Sequence, residues 1–282
     1  MTRSLPAALV VVAGLAWMVA VRVPAAGAPS RPTPATLSAD DIRIDNRGTT
    51  LIARGHVAAG YGGLRVRSDV LSIDRPRGVA TFTGHVALAD AEGKASADAA
   101  TVTVVHEDRV TQIALVGRAS VETPSYALLA DRITADRPRS RLTGAGHVTL
   151  FAQPDLIVTG ALLTYDVVPQ RVVVRGGEAA RSTIQNRDGR IRGAWMELTR
   201  KTGQVVVHGP VEAEIYDATV TGAEAAIDLG RGTALITGHV TVSRRQGTLL
   251  ADRLTVYYQS RRFIAEGATR MTLSGIDDAS SP

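Results

Sequence analysis

Cysteine is absent from the 282 residues. That excludes disulfides, thiol catalysis and zinc-thiolate sites, and it removes the redox clue to compartment. Aromatic side chains are scarce, at 4% against 45% hydrophobic residues overall, so any interior must be aliphatic and platforms for stacking nucleic-acid bases are few. No basic block exists. The arginines behind the net charge of +5 are scattered through turns and strand faces, which speaks against a nucleic-acid partner. A mild basic excess does suit an acidic ligand such as a phosphorylated lipid. Ser–His–Asp, HExxH, phosphate-loop and EF-hand patterns are also missing. Gly176-Gly177 follows a strand pattern but opens no helix, so it is no nucleotide loop. Nothing in the sequence supports an enzyme, and neither a cofactor nor a metal is expected.

The N-terminus reads as an address. A short basic start (Met1-Thr2-Arg3) leads into an apolar run from Leu5 to Val21, and Ala26-Gly27-Ala28 is a small-x-small cleavage site. Residues 1–28 are therefore expected to be an export signal, or, given a run just short of a membrane span with Arg22 close behind, an N-terminal anchor. Residues 29–38 are rich in Pro and Ser and read as a linker; 274–282 read as a frayed tail.

Between these lies a repeat. The pattern apolar-x-apolar-x-Gly-x-apolar-x-apolar recurs at Gly55, Gly84, Gly117, Gly146, Gly176, Gly209, Gly238 and Gly267, at intervals of 29 to 33 residues. A fixed period means one supersecondary unit stacked on itself, so 39–273 is expected to be one repeat domain. Each unit holds two strands. The one carrying the glycine, strand B, alternates cleanly: Ala80, Phe82, Gly84, Val86 and Leu88 share a face, opposite Thr81, Thr83, His85 and Ala87. The same face recurs at Leu142, Gly146, Val148 and Leu150, at Val172 and Val174, and at Ile236, Val240 and Val242.

Strand A precedes B, and its alternation slips. Val66 and Leu128 have one parity, whereas Leu71/Ile73 and Ile133/Ala135 have the other. A small residue marks each slip: Ser68, Ala130, Gly160, Gly193, Gly222 and Ala251. A one-residue slip turns a strand over unless a bulge absorbs it, so A is expected to bulge there. Eight glycines at one register suggest a fold line, along which the sheet creases so that its apolar face meets itself. Connections are short, with Pro and Gly placed for hairpins (Arg75-Pro76-Arg77-Gly78, Arg137-Pro138-Arg139-Ser140), so neighbours pair antiparallel. The expected fold is all-β: an elongated antiparallel repeat sheet of about 16 strands, folded lengthwise, two per repeat. Longer turns are expected in the 33-residue units, at His106-Glu107-Asp108 and at Gln185–Gly189.

Five of six histidines adjoin the repeated glycine. The four that directly follow it, His56, His85, His147 and His239, share the polar face with threonines and read as solvent-facing rather than metal-binding. Asp69, Asp131 and Asp252 lie fifteen residues before their glycine, with Asp98 the equivalent in a longer unit, and other units have Ala161, Ala194 and Ala223 there. An acid that alternates with alanine reads as structural, accepting backbone N–H bonds at the bulge or pairing with arginine. Trp195 reads as core. The inward face remains, and its many small residues leave room for acyl chains. The open edges are expected at Leu51–Val57 (Leu51, Ala53, Val57) and Ala265–Leu273 (Ala265, Met271), where neighbours would add by β-augmentation.

Ala80-Thr81-Phe82-Thr83-Gly84-His85-Val86, with Leu128-Leu129-Ala130-Asp131-Arg132-Ile133 and Leu249-Leu250-Ala251-Asp252-Arg253-Leu254, resembles the OstA/LptA family of periplasmic lipopolysaccharide transport proteins over roughly 38–273. The resemblance implies a β-jellyroll and lipid A acyl chains held between its leaves. It implies a groove lined by Leu71, Ile73, Ala80, Phe82, Val86, Leu88, Ile133, Leu142, Val148, Leu150, Val172, Val174, Ile236, Val240 and Val242. It further implies head-to-tail stacking, with LptC-like and LptD-like partners at the inner and outer membranes. The anchor-like N-terminus keeps a membrane-tethered LptC-like role open beside the bridge role. A β-solenoid adhesin or carbohydrate-binding module is the alternative of another class.

Overall fold

The computed structural model describes residues 36–273 except 46–47, 62–63, 92, 106–108, 125, 153–155, 178–180, 187–188, 200 and 259. The export signal, most of the linker, the tail and the expected 106–108 turn lie outside the described residues. Two compact units divide the chain.

The first unit contains β1 (Thr36–Ser38), β2 (Asp41–Ile44), β3 (Thr50–Tyr61), β4 (Leu64–Asp74), β5 (Val79–Ala89), β6 (Lys94–Val105), β7 (Arg109–Thr123), β8 (Tyr126–Asp136) and β9 (Arg141–Ala152). β10 (Leu156–Asp166) is divided between the units after Ala161. The second unit contains β11 (Arg171–Arg175), β12 (Ser182–Asn186), β13 (Gly189–Gly193), β14 (Trp195–Thr199), β15 (Gln204–Ile215), β16 (Ala218–Asp228), β17 (Thr233–Arg244), β18 (Gly247–Tyr257), β19 (Arg262–Glu266) and β20 (Arg270–Leu273). All described registers are antiparallel, unlike the stacked parallel coils of a β-solenoid.

Twenty strands among the described residues stand against the sixteen expected, and the excess has one cause. Four strand lines are interrupted at the fold line: β1/β2 before Asp41, β11/β12 after Arg175, β13/β14 at Ala194, and β19/β20 at Gly267–Thr269. Counted as continuous lines, the strands number sixteen. The Gln185–Gly189 turn is not the longer one expected, since Asn186 pairs directly with Gly189. Thr36–Ser38, at the end of the expected linker, is β1.

Hairpin ends follow from sequence. Strand A closes on an aspartate whose carboxylate accepts the N–H three residues on: Asp74 from Arg77 (3.1 Å), Asp136 from Arg139 (3.1 Å) and Asp228 from Arg231 (2.9 Å). Asp side chains favour such turns because they satisfy backbone donors that the ladder cannot reach.

The bulge lies on strand B, which corrects the sequence expectation. Between Arg54↔Val70 and Val57↔Ser68, Gly55 and His56 on β3 oppose Asp69 alone on β4. Gly84-His85, Gly117-Arg118, Gly146-His147 and Gly238-His239 likewise have positive φ at both residues. Two consecutive left-handed residues turn the strand sharply while restoring its parity, so Phe82 and Val86 both face inward. Strand A crosses the same line with a single residue and changes parity, as Ser68 and Leu71 record. Its small residues are explained by packing: a Cβ on Gly222 would lie 2.6 Å from Ile236 Cγ2.

Glycine at the first bulge position is required twice over. At Gly84, φ is +76° and a Cβ would overlap the Asp69 carboxylate. Gly84→Ala is expected to lower stability by about 1–3 kcal/mol through strain and overpacking together. Asp69→Ala in the same chain should restore only the overpacking part. Urea denaturation of both variants checks this, and a wild-type midpoint for Gly84→Ala would contradict it.

Candidate functional site: the aliphatic interior and its crease

Both halves of each creased strand contribute to one buried face. In the first unit Leu71, Phe82, Val86, Leu88, Ile133, Leu142, Val148 and Leu150 are buried, and Ile73 and Ala80 are half-buried toward the turns. In the second, Val172, Val174, Ile236, Val240 and Val242 are buried. One cluster there joins Val205 and Val207, before Gly209, to Val211, Ala213 and Ile215 after it, so the two leaves pack on each other. The interior is closed at its deepest positions, where Leu142 and Ile236 are 0% exposed. Polar intrusions are few. Ser68 and Ser182 are satisfied by backbone carbonyls at 3.1 and 2.9 Å. Burial pushes the Tyr126 phenol above its ordinary range, so it stays neutral.

The end strands leave this face uncovered. Ile42 and Ile44 of β2 point to the same side as their partners Ala53 and Leu51, yet are 43% and 57% exposed. Met271 and Leu273 of β20 are 66% and 51% exposed. The expected N-terminal edge is corrected here. Leu51, Ala53 and Val57 are buried, because β1 and β2 pair along β3 and take the edge from it. At the other end Ala265 and Met271 do lie on the terminal strands β19 and β20.

The crease carries a row of polar pairs that sequence reading missed. The four histidines that follow the glycine are solvent-facing as expected, but three of them are tied to strand A: Nδ1 of His56, His85 and His147 lies 2.8, 2.8 and 2.9 Å from Oδ2 of Asp40, Asp69 and Asp131. Arg118 Nη2 donates to Asp98 Oδ1 at 2.6 Å. In each case the carboxylate lies over the bulge glycine. Ala268 follows Gly267, and there Asp252 takes the backbone N–H at 2.9 Å. Where strand A has Ala194 or Ala223, its methyl group fills the place over Gly209 or Gly238 instead. The signal was present as co-occurrence: at these four positions the acid fifteen to nineteen residues before the glycine accompanies a basic residue after it.

Two outer-face features complete the picture. Trp195 is half-buried on the outer face rather than in the core, stacked on His208 at 3.8 Å, whose Nδ1 meets Glu224 Oε1 at 2.9 Å. A shallow hollow of 220 Å³ is lined by Ile157, Thr159, Thr183, Gln185, Arg190 and Arg192, with Glu212 and Glu214 facing the arginines. No group of three or more metal-ligating side chains occurs among the described residues.

Residues 65–171 match a family described as LptA/(LptD N-terminal domain) LPS transport protein. That segment is similar to the LptA/LptD N-terminal family over well under half of the chain. Among solved structures, LptH, the LptA-homologous periplasmic component of the lipopolysaccharide transport device of Pseudomonas aeruginosa, is similar. Identity is 17%, the match covers 44% of this chain and 94% of that one, and the TM-score is 0.39. No curated protein matches. Within the family match lie three of the crease pairs, Asp69–His85, Asp98–Arg118 and Asp131–His147.

The crease pairs make a pH prediction. The His56 pKa is raised above 6.5, first by its hydrogen bond to Asp40, then by the charges of Asp40 and Asp69. A raised folded-state pKa stabilises the fold fully below the unfolded value and loses that contribution as pH rises through the folded one. The His56 proton resonance should titrate with a midpoint above 6.5, and Asp40→Asn should move it down. A midpoint unchanged by Asp40→Asn would mean that the pair does not form in solution.

Proposed function

We propose that this is a periplasmic lipopolysaccharide-transport protein whose aliphatic interior holds the acyl chains of the lipid A part. One observation carries the reading: in each unit a face built almost wholly from aliphatic side chains runs out uncovered at a terminal strand, at Ile42 and Ile44 in one and at Met271 and Leu273 in the other. A repeat domain that ends its own core normally seals it with polar caps. The family match and the LptH likeness support the transport role.

Acyl chains enter by parting the leaves from the half-buried rim, where Ile73 and Ala80 lie, toward buried Leu71, Phe82 and Val86. The driving force is hydrophobic, about 25 cal/mol per Å² of apolar surface removed from water, offset by the leaf contacts given up. The protein acts in a bridge with other proteins of this fold, LptC-like at the inner membrane and LptD-like at the outer. Residues 1–28 serve as the export signal, cleaved after Ala28, and residues 39–273 are the working domain. No helix among the described residues is long and apolar enough to cross a membrane.

A photoreactive residue at Phe82 or Ile236 is expected to cross-link to lipopolysaccharide, whereas the same residue at outward Thr83 or Leu235 is not. Equal labelling of both faces, or none from the inner one, would overturn the reading.

A further inference from the structure

The mouth of the second unit, opposite its crease, is bridged from leaf to leaf. The registers define the leaves. Residues after Gly209 in β15 and after Gly238 in β17 pair with residues before Gly222 in β16 and up to Ala251 in β18, and these halves form one leaf. The remaining halves, with β19 beside β18, form the other. The Tyr216-Asp217 turn and the turn after Arg244 therefore lie on the rim of the first leaf. Tyr258, Arg261 and Phe263 lie on the rim of the second.

Among the described residues three contacts cross between these rims. The Tyr216 hydroxyl donates to the Tyr258 carbonyl at 2.8 Å. The Arg261 guanidinium lies over the Tyr216 ring, 5.1 Å from its centre. Arg244 reaches the other way, over the Phe263 ring at 4.8 Å, while its Nη2 lies 3.6 Å from Asp217 Oδ1 on its own rim. Tyr258 and Phe263 pack in turn on the buried aliphatic cluster. Backbone strain marks the two residues at the centre of the bridge. Tyr216 holds a φ of +56° at the first place of a two-residue hairpin, where glycine or asparagine is the usual occupant. Arg261 holds +52° at a turn position that is Gly78, Gly203 and Gly232 in three other hairpins. Such strain persists where the surroundings over-determine it, and the contact common to both residues is the one they make with each other.

We infer that Tyr216, Arg244 and Arg261 form a clasp that holds the mouth of the second unit shut and must release before an acyl chain passes between its leaves there. The inference rests on the lipid reading above and adds a gate to it. Stacked sheets pack about 10 Å apart, so a tyrosine rooted on one rim and bonded to the other holds the leaves at the spacing of a filled interior. Each contact is weak on its own, because hydrogen bonds and cation–π pairs at half-exposed sites gain little over water. The clasp therefore opens reversibly. Its release uncovers Phe263, the apolar side chain under Arg244.

The absence of native cysteine makes the test direct. Nitroxide labels go on the full-length chain at Arg245→Cys and Ser260→Cys, exposed positions on the two rims outside the clasp. Without lipid, pulsed dipolar spectroscopy should give one short distance across the mouth. Tyr216→Phe keeps the ring and loses the hydrogen bond, and should raise the longer-distance population about two- to tenfold. Adding Arg244→Gln and Arg261→Gln should raise it further. Tyr216→Gly, which suits the left-handed turn, should widen the mouth at least as much with the strand content unchanged by circular dichroism. In separate chains carrying the photoreactive residue at Ile236, the rate of cross-linking to added lipopolysaccharide should rise in step with the widening. A mouth distance unchanged by these substitutions, or widening with no faster cross-linking where lipopolysaccharide does label Ile236, would overturn the inference and leave the lipid reading standing. Widening as expected with no labelling at Ile236 in any chain would overturn the lipid reading and leave the clasp.

Discussion

The structure depends on one backbone device: a pair of consecutive left-handed residues in the middle of a strand, seen at Gly55-His56, Gly84-His85, Gly117-Arg118, Gly146-His147 and Gly238-His239. An ordinary strand cannot fold over without breaking its ladder or burying polar groups. Here Gly84-His85 and its equivalents step out of the ladder for two residues and re-enter it at the same parity. The apolar side chains before and after the turn therefore belong to the same face. Within each unit, the device gives two leaves with an interior between them. Its cost falls on non-glycine residues such as His85, which holds a φ of 45°. The Asp–His and Asp–Arg pairs offset that cost by tying the strained residue to the strand that crosses beneath it.

The proposed function rests on a face with few polar groups. Among the described residues Ser68 and Ser182 are its buried polar side chains, so an interior of this kind would distinguish ligands by greasiness and cross-section. That suits several parallel acyl chains, and it suits movement, since no strong directional contact must be broken at each step. Contact between the leaves keeps Leu142 and Ile236 from water, while Ile42, Ile44, Met271 and Leu273 on the terminal strands stay exposed.

Much of this was legible in the chain. Alternation around Phe82 and Val86 fixed the inward face, the Asp-x-Pro and Gly turns fixed the hairpins, and the repeated glycine fixed the crease. Three things were not. The bulge was assigned to strand A because only A shows a parity jump, at Ser68 to Leu71. On strand B the count Phe82–Gly84–Val86 runs on unbroken, since a two-residue excursion preserves parity. The Asp–His pairs join residues sixteen apart, a separation set by hairpin length rather than by any local motif. The N-terminal edge was misplaced because β1 and β2 are three- and four-residue strands emerging from a Pro-rich stretch, too short to show periodicity.

The creased strand itself is the most direct point of test. Spin labels on cysteines placed at Val79 and Ala89, the two ends of β5, report by pulsed dipolar spectroscopy whether that strand runs straight or doubles back. A straight strand of this length would separate the two backbones by about 33 Å. The account predicts a distance well short of that, lengthening when lipopolysaccharide parts the leaves. A lipid-independent distance near the straight-strand value would contradict it.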